Sequence, residues 1–183
     1  MKDEKYVCPA SHAGILDNFI RKIIHKPRKI FEKFVHEGMT ILDVGCGPGY
    51  FSIPLAQMTG DKGKVIAADL QEEMLDILRK KITGTEIEKI ITLFKCEKEK
   101  IGLNEKVDFV NAFYVVHEVP NSENFLKEIY NILNENGKLF LCEPKFHVSK
   151  KEFADTVNLA LSVGFKLYKL PKIHISRTAV MQK

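Results

Sequence analysis

Residues 40–51 read Thr-Ile-Leu-Asp-Val-Gly-Cys-Gly-Pro-Gly-Tyr-Phe. An apolar, β-prone run drives into three glycines at alternate positions, and a helix pattern follows at once. A chain that turns so sharply needs residues without Cβ, both for unusual backbone angles and to let a ligand lie against bare amides. The spacing discriminates between ligands. A dinucleotide fingerprint, G-x-G-x-x-G, asks for a glycine three places after Gly47, where Tyr50 stands; the third glycine arrives one position early, at Gly49. Asp43 adds a carboxylate at the tip of the strand.

The next strand pattern, Lys64-Val65-Ile66-Ala67-Ala68-Asp69, also ends in a carboxylate. In nucleoside-binding α/β folds an acidic residue there accepts hydrogen bonds from ribose hydroxyls. The alternative, that Asp69 caps the helix starting near Gln71, is the weaker reading beside the upstream loop. Further along, strands are expected near 40–45, 64–69, 90–95, 107–113 and 137–143, and helices near 49–59, 71–83, 121–134 and 150–163. This alternation predicts a parallel sheet covered on both faces. Asn136-Gly137 reads as a turn before the fifth strand, and Ser149 with Glu152 as a capping box. Residues 97–106 leave room only for a short or irregular crossover helix.

Phe165–Leu170 and Ile173–Val180 are β-prone runs separated by Pro171-Lys172, a link that permits a hairpin and forbids a parallel crossover. Residues 12–37 read as two amphipathic helices, the second opened by Pro27 and stopped at Gly38. At 183 residues one domain is expected over 1–183. The charged start and the lack of a long apolar run predict neither signal peptide nor membrane span, hence a cytoplasmic protein. Net charge is +4, with basic clusters at 21–33 and 145–172. Without aromatic interleaving or a nucleic-acid module they read as solvated helix faces rather than a phosphate track.

The D-x-G-x-G-x-G pattern of Asp43–Gly49, the spacing to Asp69 and the terminal hairpin together resemble class I S-adenosylmethionine (SAM) dependent methyltransferases over roughly residues 38–183. That resemblance implies a three-layer α/β sandwich: a doubly wound, mostly parallel seven-stranded sheet with a C-terminal antiparallel hairpin. Residues 1–37 would be a helical lid over a Rossmann-like core at 38–183. It implies SAM as cofactor. Asp43 would receive the methionine amino group, with Gly45, Cys46, Gly47 and Gly49 lining the cofactor through backbone. Asp69 would hold the ribose, and Leu70 would pack on adenine. Cys96-Glu97 fills the slot where the family usually has an Asp and a small residue, so Glu97 stands in for the adenine contact.

The fourth strand, Asp108–Phe113 and on to Pro120, is similar to motif IV of small-molecule methyltransferases, which sets Ala112, Phe113 and His117 near the cofactor. It lacks the Asn-Pro-Pro-Tyr and Pro-Cys signatures of base methylation. Because SAM already carries an activated methyl group, the protein supplies alignment, water exclusion and sometimes a base. His117, His12 and Glu118 are the candidates for proton removal or substrate contact, with a purely structural role for His117 an even alternative. Tyr6, Tyr50, Phe51, Phe113 and Tyr114 are candidates for cation–π contact with the sulfonium, or simply core. Cys8, Cys46, Cys96 and Cys142 show no paired spacing, so no metal or arsenic site is expected. A small-molecule acceptor is the preferred reading. RNA or protein methylation, or SAM binding without transfer, are the alternatives, and a nicotinamide dehydrogenase is disfavoured.

Overall fold

The computed structural model describes residues 26–183. Seven strands form one sheet: β1 (Thr40–Val44), β2 (Lys64–Asp69), β3 (Ile91–Lys95), β4 (Val107–Phe113), β5 (Leu133–Pro144), β6 (Lys166–Lys169) and β7 (Ser176–Gln182). Their order is β3-β2-β1-β4-β5-β7-β6. The first five run parallel, and β7 lies antiparallel between β5 and β6. The helices are α1 (Pro27–Phe31), α2 (Ser52–Thr59), α3 (Glu72–Ile82), α4 (Ser122–Ile132) and α5 (Lys150–Val163).

Side chains alternate between the sheet faces, which splits the core in two. Ile41, Val65, Ala67, Phe109 and Phe140 face one layer, with α2 and α3 supplying Leu55, Leu75 and Leu78. Leu42, Ile66, Val110, Leu139 and Leu141 face the other, covered by Leu126 and Ile129 of α4 and Ala160 of α5. Buried on both faces, the central strands read as continuous apolar runs. The helices carry their own start signals. Glu72 and Glu73 open α3 while Arg79, Lys80 and Lys81 close it, in the sense that suits the helix dipole. The Ser149–Glu152 capping box forms as expected, and Gly60 ends α2 with φ 65°.

Four expectations are corrected. β5 begins at Leu133 rather than 137, because Asn136-Gly137 makes a bulge inside the strand instead of a turn before it. The pairing steps from Val107↔Leu133 to Phe109↔Lys138, and Asn136 takes φ 65°. The link between the terminal strands spans residues 170–175. Ile173 packs against the core instead of joining a strand, and the Thr178 hydroxyl donates to the Pro171 carbonyl. The 97–106 crossover holds no helix; the N–H groups of Ile101 and Gly102 both donate to Glu128 Oε2, at 3.0 Å each. The helix opened by Pro27 ends at Phe31, not at Gly38, and the chain turns so that Phe34 and Val35 also bury.

Phe31 meets Phe51, Phe109 and Phe140 edge-on, with ring centroids 5.6, 5.9 and 5.2 Å away. Phe31, Phe34 and Val35 are therefore part of the core rather than a loose cover. Phe31→Ala should cost about 3–5 kcal/mol of unfolding free energy, measured by urea titration. A loss below about 1 kcal/mol would mean that this segment is not docked as described.

Candidate cofactor and methyl-transfer site

In a doubly wound sheet the crevice lies outside the carboxyl ends of the strands, where the strand order reverses. Here that point is between β1 and β4. Gly45, Gly47 and Gly49 follow β1 with φ of 67°, 53° and 86°, a region that only glycine enters freely. Their reasons differ. A Cβ on Gly45 would stand 1.9 Å from Val115 Cγ2, and one on Gly49 would stand 2.3 Å from Leu78 Cδ1. A Cβ on Gly47 would meet nothing within 4 Å. The first and third glycines let the loop pack against the protein, and the middle one leaves an open cradle of backbone.

Hydrogen bonds hold the loop at both ends. The Gly47 N–H donates to Asp69 Oδ2 at 2.8 Å, the Cys46 N–H to the Ala68 carbonyl at 3.0 Å, and Lys81 Nζ to the Pro48 carbonyl at 2.9 Å. Asp69 Oδ1 accepts from the Gln71 N–H at 2.9 Å, so Asp69 anchors both the glycine loop and the entry to α3. It is 8% exposed. Burial raises its carboxyl above the ordinary range, against the pull of the Gln71, Gly47 and Leu70 N–H groups and of Lys95.

Asp43, 2% exposed, accepts from the Ser52 hydroxyl at 2.5 Å and from Asn111 Nδ2 at 2.8 Å. Asn111 is its register partner on β4. Asn111 Oδ1 is buried and has no hydrogen-bond partner among the described residues. An acceptor left so is costly and calls for a donor.

The other expected residues fall around this frame. The Cys96 N–H donates to the Asp69 carbonyl at 2.9 Å, while Glu97 is exposed and pairs with Lys100 at 3.4 Å. Leu70 is half-buried. Ala112 and Phe113 turn into the core, Phe113 against Phe51 at 4.3 Å. Tyr50 is also buried, whereas the Tyr114 hydroxyl pairs with Ser176 Oγ at 2.6 Å. His12 and Tyr6, with most of the expected lid, lie outside the described residues.

His117 sits on a 3-10 turn (Val116–Glu118) immediately after Val115, the residue that covers Gly45. Its Nδ1 contacts Glu143 Oε2, and the other oxygen, Oε1, accepts the Val116 N–H at 2.9 Å. Glu143, 1% exposed, was missed by sequence reasoning. Its signal was a carboxylate closing the apolar run Leu139–Cys142. Burial raises the Glu118 carboxyl, with Glu143 and Asp69 adding and His117 opposing. The crevice thus gathers Asp43, Asp69, Glu118 and Glu143, an environment suited to a cationic ligand.

A model of the methyltransferase domain matches residues 35–174. The chain belongs to the methyltransferase-domain family. A SAM-dependent methyltransferase from Aquifex aeolicus superposes with a TM-score of 0.86 at 26% identity, over 96% of this chain and 98% of that one. A demethylmenaquinone methyltransferase of Lactobacillus johnsonii is 35% identical over 63% of this chain and 48% of its own length. A ubiquinone/menaquinone biosynthesis C-methyltransferase of Blochmanniella pennsylvanica is 28% identical over 78% of this chain and 59% of its own. The chain thus spans about half the length of the curated relatives it matches. In this methyltransferase domain the seven-stranded order with β7 reversed is the class I, Rossmann-like arrangement.

Two predictions follow from the loop and its cysteines. Gly45→Ala and Gly49→Ala should each destabilise the domain by several kcal/mol, on the order of an overpacked core site. Gly47→Ala, whose Cβ has room, should cost only about 1–2 kcal/mol of backbone strain, and equal losses in urea unfolding would contradict the division of roles. Burial, with the Asp69 and Glu128 carboxylates, pushes the Cys96 thiol up to about 12, and burial with Asp43 and Asp69 pushes Cys46 well above its usual value. A raised thiol stays protonated at pH 8. Cys96 should then be alkylated roughly a thousandfold more slowly than a free cysteine, with rapid native-state labelling by iodoacetamide as the contrary result.

Proposed function

We propose that the chain is a SAM-dependent methyltransferase acting by direct in-line displacement on a small-molecule acceptor. The observation that carries this reading is the open backbone cradle at Gly47, set between the carboxylates of Asp43 and Asp69. When bound, SAM supplies a methyl group activated by its sulfonium. Gly45, Cys46, Gly47 and Gly49 would line it through backbone. Asp43 and the unpartnered Asn111 Oδ1 offer acceptors for its ammonium group. Asp69 would hold the ribose hydroxyls, and Leu70, Cys96 and Glu97 would border the adenine. Ala112 and Phe113 would form the β4 wall beside the reacting carbon.

The rest of the reading concerns surroundings and acceptor. Relatives named for demethylmenaquinone make a quinone-type ring the first acceptor to try. The described basic residues Lys26, Arg28, Lys29 and Lys33 are exposed, and without aromatic interleaving or a nucleic-acid module they read as solvated faces. No helix among the described residues is long and apolar enough to cross a membrane. A single domain working in the cytoplasm accords with both.

Isothermal titration should show binding of SAM and of S-adenosylhomocysteine, and none of NAD. Removing a charged hydrogen bond to ribose costs about 1.5–3 kcal/mol, so Asp69→Ala should weaken SAM binding roughly ten- to hundredfold. Because Asp69 also anchors the loop, urea unfolding of the same variant separates lost folding from lost affinity. Tight NAD binding with no SAM binding would overturn the assignment.

A further inference from the structure

Glu143 is a buried carboxylate that cofactor binding leaves without a task. It stands one residue from the end of β5, beside the end of β4, and both its oxygens are committed. Oε1 accepts the Val116 N–H, and Oε2 faces His117 Nδ1. A carboxylate oxygen only accepts, so Nδ1 carries the ring hydrogen and Nε2 is the basic nitrogen. The imidazole is half-buried, two residues beyond the valine that covers Gly45. A second ring, His147 on the turn after β5, stacks on it with centroids 5.9 Å apart and planes 26° apart. Phe146 adjoins His147 at 5.0 Å and is 69% exposed. His147 thus sits between two rings just past the carboxyl end of β5, stacked on His117 and edge-on to Phe146 at 61°.

We infer that Glu143 positions His117 as a general base through Nε2, and that the acceptor is a planar aromatic compound with an ionisable hydroxyl, held against the His117–His147–Phe146 rings. This rests on the methyltransferase reading and deepens it. A neutral phenol is a poor nucleophile and its anion a good one. The hydroxyl proton passes to His117 Nε2, and the O–H electron pair stays on the acceptor. An electron pair of the resulting phenolate forms the bond to the methyl carbon, while the carbon–sulfur pair leaves with sulfur as a neutral thioether. The imidazolium is stabilised by the Glu143 carboxylate at Nδ1. Among the described residues, Glu118 on its own turn, with Oε1 3.9 Å from Nε2, and His147 are titratable groups that also face the imidazole. Asp69 lies near enough to act on Glu118. Glu143 is thus a positioning residue, and His117 the one that meets the substrate.

Replacing Glu143 by Gln tests the arrangement without changing its shape. The Gln carbonyl must keep the Val116 N–H, which turns its NH2 toward His117 Nδ1. That amide donates, so the ring hydrogen must move to Nε2 and the base is lost. Nitrogen-15 NMR of the full chain should show His117 protonated at Nδ1 in the wild type and at Nε2 in Glu143→Gln. With S-adenosylhomocysteine present, added 4-nitrophenol should shift the wild-type His117 signals toward imidazolium, and nitrobenzene should not. Wild-type His117 protonated at Nε2, or unresponsive to 4-nitrophenol, would overturn the inference even if Glu143→Gln failed to fold. SAM binding measured on the same samples keeps the two readings apart. If SAM fails to bind, the cofactor assignment falls; if SAM binds and His117 does not respond, only this inference falls.

Discussion

The hydrogen bond from the Gly47 N–H to Asp69 is the contact on which the crevice depends. It joins the loop after β1 to the tip of β2, and Asp69 uses its other oxygen to start α3. Burying a carboxylate is unfavourable unless its lone pairs find donors, and here two backbone amides provide them. The same strand ends are stitched twice more, through Cys46 to Ala68 and through Cys96 to Asp69. Three successive strand tips are thereby held in one plane of contacts, and the open face of Gly47 is fixed rather than floppy. A ligand then meets preformed geometry, which lowers the ordering cost of binding.

The sheet was legible where local chemistry and global fold agree. Central strands buried on both faces must be apolar throughout, so β1, β2 and β4 announced themselves, and the capping box and Pro27 marked helix starts. Boundaries slipped where a local signal served another purpose. Asn136-Gly137 has turn chemistry, yet the parallel pairing with β4 continues past it and absorbs the pair as a bulge. Pro171-Lys172 looked like a tight hairpin, yet Ile173 was drawn into the core and lengthened the link. For the candidate site, the glycine loop, Asp69 and His117 could be picked out because each lies at or just past a strand end within one contiguous stretch of sequence. Glu143 was not, because its meaning comes from a residue 26 positions away brought close by strand pairing. Asn111 and Ser52 escaped for the same reason: their roles are set by Asp43, which they meet only in the folded sheet.

The charge pattern of the crevice follows from where strands end. β1, β2 and β5 each deliver a carboxylate at or near the carboxyl end, and the turn after β4 adds Glu118. Their mutual repulsion, together with burial, favours protonation in Glu118 and keeps neighbouring thiols neutral. A binding partner that brings positive charge relieves that repulsion. The crevice is in this sense incomplete by electrostatics, as Asn111 Oδ1 is incomplete by hydrogen bonding.

The insertion of β7 between β5 and β6 bears on the order in which the molecule assembles. β6 precedes β7 along the chain, yet every rung of its ladder is made to β7. As a nascent polypeptide emerges, β1 to β5 can pair one after another while β6 has no docking edge in the sheet. That flank stays open until residues 176–182 arrive and close both gaps at once. Until then the bare rim of β5 is a template for strands of other chains. The period of greatest aggregation risk thus falls late in synthesis, after most of the core has already formed.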